Sequence, residues 1–138
     1  PGFAASFDAK VKTINFAKEY TYVETLLGRK RWLKDIHSAN PTVRGYAERN
    51  AINMPIQGTA ADMIKLAMIA VHREMQKQKM RSRMTLQVHD ELVFDVPIGE
   101  VDEAKQLIKE GMEAAMQLPN DVPINVETGC GNNWLEAH

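Results

Sequence analysis

One run of five residues, Gln87-Val88-His89-Asp90-Glu91, places an imidazole and two carboxylates side by side. The residues on both sides of it alternate between apolar and polar, which predicts two strands joined by a turn at His89, Asp90 and Glu91. Tight hairpin turns usually contain Gly or Asn, because one or both central residues take positive φ. A turn that carries His-Asp-Glu instead indicates that the side chains themselves are needed.

The carboxylates at this tip offer the chemistry that hard cations require. Mg²⁺ takes oxygen ligands, and it often takes only one or two from protein, with water and phosphate supplying the others. The tip is therefore a candidate divalent-metal site. A solvated acidic turn stays open as the alternative, and on the pattern alone it is the more common case.

A second set of polar residues recurs every four positions: Arg49, Asn53 and Gln57. This spacing places them on one helical face if the backbone stays helical past Pro55. Arg, Asn and Gln can donate to purine N3 and pyrimidine O2 in the minor groove, acceptors that every base pair presents. The row thus predicts contacts that test base-pair geometry without reading sequence. A solvated helix face, or amides that cap a break at Pro55, would explain the row equally simply.

A third candidate is the basic turn Gly28-Arg29-Lys30-Arg31, followed by Trp32. Basic residues next to an aromatic ring are typical of surfaces that grip a nucleic-acid strand. Arg29 and Arg31 are accordingly candidate contacts to a DNA backbone. A solvated turn with Trp32 in the core is the alternative.

Bulk composition narrows the classes of protein. Residues 1–83 hold 15 Lys and Arg against 7 Asp and Glu, a net charge of +8, whereas residues 84–138 hold 2 against 11, a net charge of −9. A basic half suits phosphate and an acidic half suits a cation or a solvated helix. No apolar run approaches the roughly 18 residues of a membrane span. The single cysteine, Cys130, excludes an internal disulfide and fits a reducing, cytoplasmic setting.

The elements that must position these residues follow from periodicity. Helices are predicted at residues 8–19, from Pro41 to about residue 50, from a capping box at Thr59 to about residue 79, and after Gly99. Pro55 is expected to interrupt the second of these. Strands are predicted at residues 22–26, 30–33, 84–88, 92–96 and 123–127. The fold class is therefore α+β, an antiparallel sheet with helices on one face.

Gln87-Val88-His89-Asp90-Glu91-Leu92-Val93-Phe94 resembles the motif C hairpin of family A DNA polymerases, the bacterial DNA polymerase I type. Three further segments resemble the family in the same order: YVETLLGR at residues 22–29, AERNAINMPIQGTAAD at 47–62 and GNNWLEAH at 131–138. Together the resemblance covers about residues 13–138. It departs at Lys34, where the family usually has proline, and residues 1–12 fit poorly. The first residue is Pro rather than Met, and we expect the chain to be a piece of a longer protein.

The resemblance implies roles for individual residues. Asp90 matches the aspartate that binds the catalytic metals, Glu91 the supporting carboxylate, and His89 the histidine near the primer 3′ end. The row of Arg49, Asn53 and Gln57 matches residues that touch the primer–template minor groove and the nascent base pair. Residues 1–40 correspond to a fingers-side helix and basic hairpin, and residues 41–138 to the C-terminal part of a partial polymerase palm.

The resemblance also implies an activity. The parent enzyme would transfer nucleotides from deoxynucleoside triphosphates to a primer on template DNA, with two Mg²⁺ ions, or Mn²⁺ in their place, in replication and repair in the bacterial cytoplasm. The partner aspartate of motif A and the nucleotide-binding O helix are not in this chain. We therefore expect the chain alone to be inactive and to self-associate through bared apolar surface.

Two other functions remain open on the residues alone. A small metal-dependent nuclease would need more carboxylates near Asp90, and Asp95 and Glu127 are the strand candidates. A non-catalytic nucleic-acid-binding module with an RRM-like sheet would need paired aromatics on an exposed strand face, and Phe94 by itself does not supply them.

Overall fold

The computed structural model describes residues 2–137 and the side chains of residues 8–137, so Pro1 and His138, which the predicted divisions include, lie outside it. The chain forms two compact units, Pro1–Asp62 and Met63–His138, called here the N-terminal and C-terminal units. Their boundary lies at residue 62 rather than 40, and the division into fingers and palm parts stays a prediction. Helices and small antiparallel sheets make up both units, which confirms the α+β class.

The elements follow one another in a simple order. They are α1 (Gly2–Tyr20), β1 (Tyr22–Glu24), β2 (Lys30–Trp32), a 3₁₀ turn (Lys34–His37), α2 (Pro41–Lys77), β3 (Arg83–Val88), β4 (Glu91–Asp95), a 3₁₀ turn (Ile98–Glu100), α3 (Val101–Glu113), a 3₁₀ turn (Pro119–Asp121) and α4 (Trp134–Ala137). The strands form two separate hairpins, β1 with β2 and β3 with β4.

The predicted strand at residues 123–127 is wrong, since that segment has no strand partner among the described residues. Pro123 has no N–H to offer a ladder. The N–H of Val126 donates instead to the Glu113 carboxylate, 3.1 Å away. The alternation of apolar and polar residues here reflects burial outside a strand. Ile124 and Val126 are half-buried, and their neighbours are exposed.

In the N-terminal unit, helix α1 is followed by Thr21 at the position where glycine would fit best. Thr21 adopts φ 63°, and its N–H donates to the carbonyl of Ala17 over 2.8 Å. The left-handed region favours glycine at a helix C-terminus and is strained for a β-branched residue. The Thr21 carbonyl then accepts from the N–H of Leu33 at 2.8 Å, which closes the hairpin onto the helix. The core of this unit consists of Ala17, Val23, Leu33, Ile36, Ala47, Ala51 and Met54.

Helix α2 begins as predicted, because the Asn40 side chain accepts from the N–H of Thr42 at 3.0 Å and Pro41 occupies the first helical position. The predicted interruption is wrong: α2 runs through Pro55 to Lys77. A proline removes one backbone bond, here to the carbonyl of Ala51, whereas the buried face continues on both sides of it, with Ala51 and Met54 before Pro55 and Gly58 and Asp62 after it. Packing of that face outweighs the local cost.

The capping box predicted at Thr59 is also wrong, since both Thr59 and Asp62 lie inside α2. The Thr59 hydroxyl donates back to the carbonyl of Pro55 at 2.5 Å and accepts from the N–H of Leu26 at 3.0 Å. Ser, Thr and Asp have the same local preferences in caps and in side-chain bonds to backbone, so the motif by itself does not distinguish the two.

In the C-terminal unit the β3–β4 hairpin packs on the second half of α2 and on α3. Val71, Met75 and Leu107 are buried there, against partly buried residues of the hairpin and α3: Met80, Met84, Phe94, Ile108 and Met112. A β-bulge lies between Met84 and Leu86 and interrupts the alternation of inward and outward side chains that was expected for β3. Leu86, expected to face inward, is 46% exposed.

The start of β3 is held by one carboxylate. Glu100 accepts from the N–H of Arg81 and from both the N–H and the hydroxyl of Ser82, at distances of 2.7 to 3.1 Å. These hydrogen bonds, that of the Ser82 hydroxyl first, lower the pKa of Glu100 from its ordinary value. This acid therefore serves the fold and not a metal.

Two glycines of α2 should respond oppositely to alanine. A Cβ at Gly45 would meet only Arg49 Nη1, at 3.7 Å, whereas a Cβ at Gly58 would lie 2.7 Å from Thr25 Cγ2. We expect Gly45→Ala to stabilise the chain by about 0.5–1 kcal/mol through helix propensity. Gly58→Ala should destabilise it by about 1–2 kcal/mol through overpacking. Urea unfolding of both variants measures this, and a shift of the same sign in both would contradict the close approach at Gly58.

Candidate functional site

The acidic tip lies on a two-residue turn. Val88 pairs with Glu91, so His89 and Asp90 form the turn itself and are exposed, whereas Glu91 is the first residue of β4 and is half-buried. The predicted strands and their acidic tip are therefore confirmed as a hairpin. Its two strands fix the positions of the neighbouring carboxylates without help from a flexible loop.

Backbone strain at this turn falls on the histidine. His89 adopts φ 53°, although of the two turn residues aspartate tolerates that region better. The Gln87 side-chain amide donates to the His89 carbonyl at 2.7 Å and braces the turn. A left-handed L-residue costs roughly 1–2 kcal/mol. Glycine at this position would avoid that cost.

The oxygen donors of Asp90 and Glu91 suit a hard divalent cation, and they are too few to enclose one. Among the described residues no group of three or more His, Cys, Asp and Glu is placed to hold a metal ion. A tip of this kind supplies one or two ligands and leaves the others to water, phosphate or further carboxylates. The residues thus fit part of a shared metal site.

The additional carboxylates that a small nuclease needs do not converge on this tip. Asp95 is the last residue of β4 and pairs with Arg83, four residues along the strand from Glu91, or about 13 Å. Glu127 lies outside any strand. Phe94, the aromatic considered for an RRM-like face, packs against the core of Val71, Met75 and Leu107. Both alternative functions lack their defining feature.

The polar row of the N-terminal unit lies on continuous helix. Because α2 passes through Pro55, Arg49, Asn53 and Gln57 share one face, and all three are exposed. Eight residues of helix separate the first from the last, about 12 Å. The Arg49 guanidinium carbon lies 5.9 Å from the centre of the Tyr46 ring, which supports its side chain from one side.

The basic hairpin of the same unit lies beside this row. Arg29, Lys30 and Arg31 line an open cavity of about 460 Å³, completed by Asn50, Met54, Gln57 and Gly58. The basic turn and the polar row are separate features in the sequence. In the structure, Arg31 of the turn and Gln57 of the row line the same cavity. Trp32, whose burial was the alternative, is 62% exposed and packs edge-on against Tyr22 with ring centres 5.2 Å apart.

Arg29 differs from its two basic neighbours. Its Nε donates to the Asp62 carboxylate at 2.7 Å and its Nη2 donates to the Gly58 carbonyl at 3.1 Å. The Asp62 carboxylate also accepts from the Thr25 hydroxyl at 2.6 Å. No local pattern in the sequence indicates the pairing of Thr25 with Asp62, because 37 residues separate the two.

Comparison with known proteins shows the family of the chain. The family model described as DNA polymerase family A matches residues 6–136. The chain belongs to DNA polymerase family A. It is 48% identical over 125 residues to DNA polymerase I of Caldicellulosiruptor bescii and 45% identical over 135 residues to that of Mycobacterium leprae, which covers 91% and 98% of this chain.

A solved structure agrees with these relatives. The POL domain of Pol1 from M. smegmatis, in complex with DNA primer-template and dNTP, matches with a TM-score of 0.89 and 46% identity over 94% of this chain and 23% of that one. The chain spans only 14% and 15% of the two DNA polymerase I chains. Membership of the family implies divalent-metal use in general. In the described part of the chain, no helix is long and apolar enough to cross a membrane.

The strain at His89 can be measured apart from the loss of its side chain. His89→Gly and His89→Ala both remove the imidazole, and only glycine relieves positive φ. After subtraction of glycine's larger unfolded-state entropy, His89→Gly should be more stable than His89→Ala by about 0.5–1 kcal/mol. Urea unfolding of the 138-residue chain provides the comparison. Equal stability of the two variants would mean that the turn carries no strain.

Proposed function

We propose that this chain is the C-terminal palm portion, with adjoining fingers elements, of a bacterial DNA-directed DNA polymerase. In this proposal residues 41–138 belong to the palm and residues 1–40 to the fingers side. The observation that carries it is the acidic two-residue turn of the β3–β4 hairpin, within a segment that matches the family from residue 6 to 136. The reaction is nucleotidyl transfer from a deoxynucleoside triphosphate to a primer 3′-hydroxyl.

The hairpin tip would act through its oxygen atoms. Mg²⁺ held by this tip and by a second set of carboxylates would supply the positive charge that activates a primer hydroxyl and offsets charge on the leaving pyrophosphate. Asp90 is the ligand that this chain contributes, and Glu91 supports it from the start of β4. His89 contacts the primer 3′ end from the strained position of the turn. One acidic strand supplies half of such a site, so a second carboxylate strand must come from elsewhere in a complete polymerase.

The exposed row on α2 would test the shape of the duplex. Arg49, Asn53 and Gln57 donate to minor-groove acceptors that lie at equivalent positions in all correct base pairs. Such contacts favour correct pairing without preference for sequence. Arg31 and Lys30, at the cavity that Gln57 also lines, contact the phosphates of the same DNA, with Arg29 beside them.

The surroundings of the reaction follow from the same proposal. Its partners are primer–template DNA and deoxynucleoside triphosphates, its ion is Mg²⁺ with Mn²⁺ as a substitute, and its setting is the bacterial cytoplasm near the nucleoid. Exposed apolar side chains such as Ile98, Leu135 and Ile56, at 95%, 87% and 73% exposure, would be covered in the complete enzyme. In the separate chain they would promote self-association.

Replacing one carboxylate tests the role of the tip. In a complete polymerase that carries this segment, Asp90→Asn should lower primer extension by a factor of about 10³ or more, because an amide cannot replace an anionic metal ligand. Affinity for primer–template should fall much less. Asp95→Asn, the same change at the far end of β4, is the matched control and should extend primers normally. An Asp90→Asn enzyme within tenfold of the parent would refute the assignment.

The separate chain should bind metal without polymerising. We expect Mn²⁺ to broaden the amide resonances nearest Asp90 in a titration of the 138-residue chain, and Asp90→Asn to abolish this. Primer extension should be absent, since one acidic strand cannot hold both ions. Sedimentation velocity on the same sample should show concentration-dependent association. Sustained extension, no broadening near Asp90, or a monomer at high concentration would each contradict the corresponding expectation.

A further inference from the structure

A network of polar contacts inside the N-terminal unit joins the basic hairpin to α2. The Asp62 side chain is 8% exposed, and it accepts from the Thr25 hydroxyl at 2.6 Å and from Arg29 Nε at 2.7 Å. Arg29 Nη2 donates to the Gly58 carbonyl at 3.1 Å, and the Thr59 hydroxyl accepts from the N–H of Leu26 at 3.0 Å. We call these residues the hairpin clamp: Thr25, Arg29, Gly58, Thr59 and Asp62.

The absence of a side chain at Gly58 allows the hairpin to lie close to α2. A Cβ on Gly58 would lie 2.7 Å from Thr25 Cγ2 and 3.4 Å from Arg29 Nη2. Glycine therefore lets the hairpin approach the helix backbone more closely than any other residue would allow. Thr25 is itself buried, at 4% exposure, so it has little room to move aside. The hydrogen bonds and the missing side chain fix one distance between hairpin and helix.

That distance separates two sets of groups with proposed roles in DNA binding. Gln57, the last residue of the polar row, immediately precedes Gly58 of the clamp. Lys30 and Arg31 immediately follow Arg29 of the clamp on the other side of the cavity. Moving the hairpin relative to α2 would change the spacing between the phosphate-binding charges and the minor-groove amide.

Stability alone explains this network poorly. Arg29 is 49% exposed in its side chain, and ion pairs that reach solvent contribute little to folding. A buried carboxylate costs free energy unless its hydrogen bonds are satisfied, and apolar residues of similar size often pack as well. Buried polar networks are better suited to specifying one geometry.

We propose that Thr25 and Asp62 are positioning residues for DNA, which hold Arg31 and Lys30 at a set spacing from Gln57 through the hairpin clamp. The proposal rests on the function proposed above, because it assumes that Arg31 and Gln57 contact primer–template. Thr25 and Asp62 are not among the residues that line the cavity, and they act on DNA only through the basic residues that do. Its effect is to let a phosphate and the neighbouring minor groove be contacted at the same time.

Three threonine substitutions in the complete polymerase test this. Thr25→Val keeps the shape and removes the hydroxyl, Thr25→Ser keeps the hydroxyl, and Thr13→Val is the matched control, since the Thr13 hydroxyl donates only to Ala9 in its own helix. Thr25→Val should weaken primer–template binding about tenfold and lower the salt dependence of log Kd by about one ion. Thr25→Ser and Thr13→Val should bind like the parent.

A double-mutant cycle separates positioning from general destabilisation. If Thr25 acts through Arg31, then Thr25→Val should add less than twofold to the binding loss of Arg31→Gln. Additive losses, or a Thr25→Val enzyme that loses thermal stability but keeps the parent's affinity and salt slope, would overturn the proposal. Should Thr25→Val fail to fold, Asp62→Asn carries the same test, because it keeps the size of the side chain and removes the charge that holds Arg29.

Substitutions of the contact residues distinguish the clamp proposal from the DNA contacts on which it rests. If Arg31→Gln and Gln57→Ala leave primer–template affinity unchanged, the proposed DNA contacts themselves are wrong. If both weaken binding and Thr25→Val does not, the contacts stand and the clamp proposal fails.

Discussion

The packing of α2 is the constraint on which each unit depends. In the N-terminal unit the helix contributes Ala47, Ala51 and Met54 to the core, and in the C-terminal unit it contributes Val71 and Met75. Because buried residues lie before and after Pro55, the helix continues through it at the loss of one hydrogen bond. The exposed side of the same helix inherits that continuity. Arg49, Asn53 and Gln57 form a row only because the opposite side is packed.

In the β3–β4 hairpin, the packing of the strands likewise competes with the local preference of the backbone. Its strands are held by Met84 and Phe94 in the core and by the carboxylate at Glu100, so the turn has no freedom to relax. His89 takes up the strain, Asp90 is the second residue of the turn, and Glu91 is the first residue of β4. A comfortable turn such as Asn-Gly would fold more easily and would have no ligand to offer. The packing of the two strands offsets the cost of the positive φ at His89.

What could be read from the sequence depended on how far apart the interacting residues lie. The β3–β4 hairpin, α3 and the start of α2 follow from local patterns of about 15 residues or fewer, which predict the hairpin together with its tip residues. The continuity at Pro55 and the exposure of Leu86 depend on packing and on a bulge, which no local period reveals. The roles of Asp62 and Thr59 depend on Thr25 and Leu26, more than 30 residues away, so a capping box was inferred instead.

The division of charge along the chain acquires a different meaning in the structure. The acidic excess of residues 84–138 suggested a cation-binding half, yet those carboxylates are spread over separate tasks. Glu100 and Glu113 accept from backbone N–H groups, and Glu136 accepts from Asn132 and Asn133. Asp102 and Glu103 lie in the first turn of α3, where negative charge suits the helix dipole. The acidic excess of residues 84–138 is therefore largely accounted for by the fold, and bulk charge by itself does not indicate a cation-binding half.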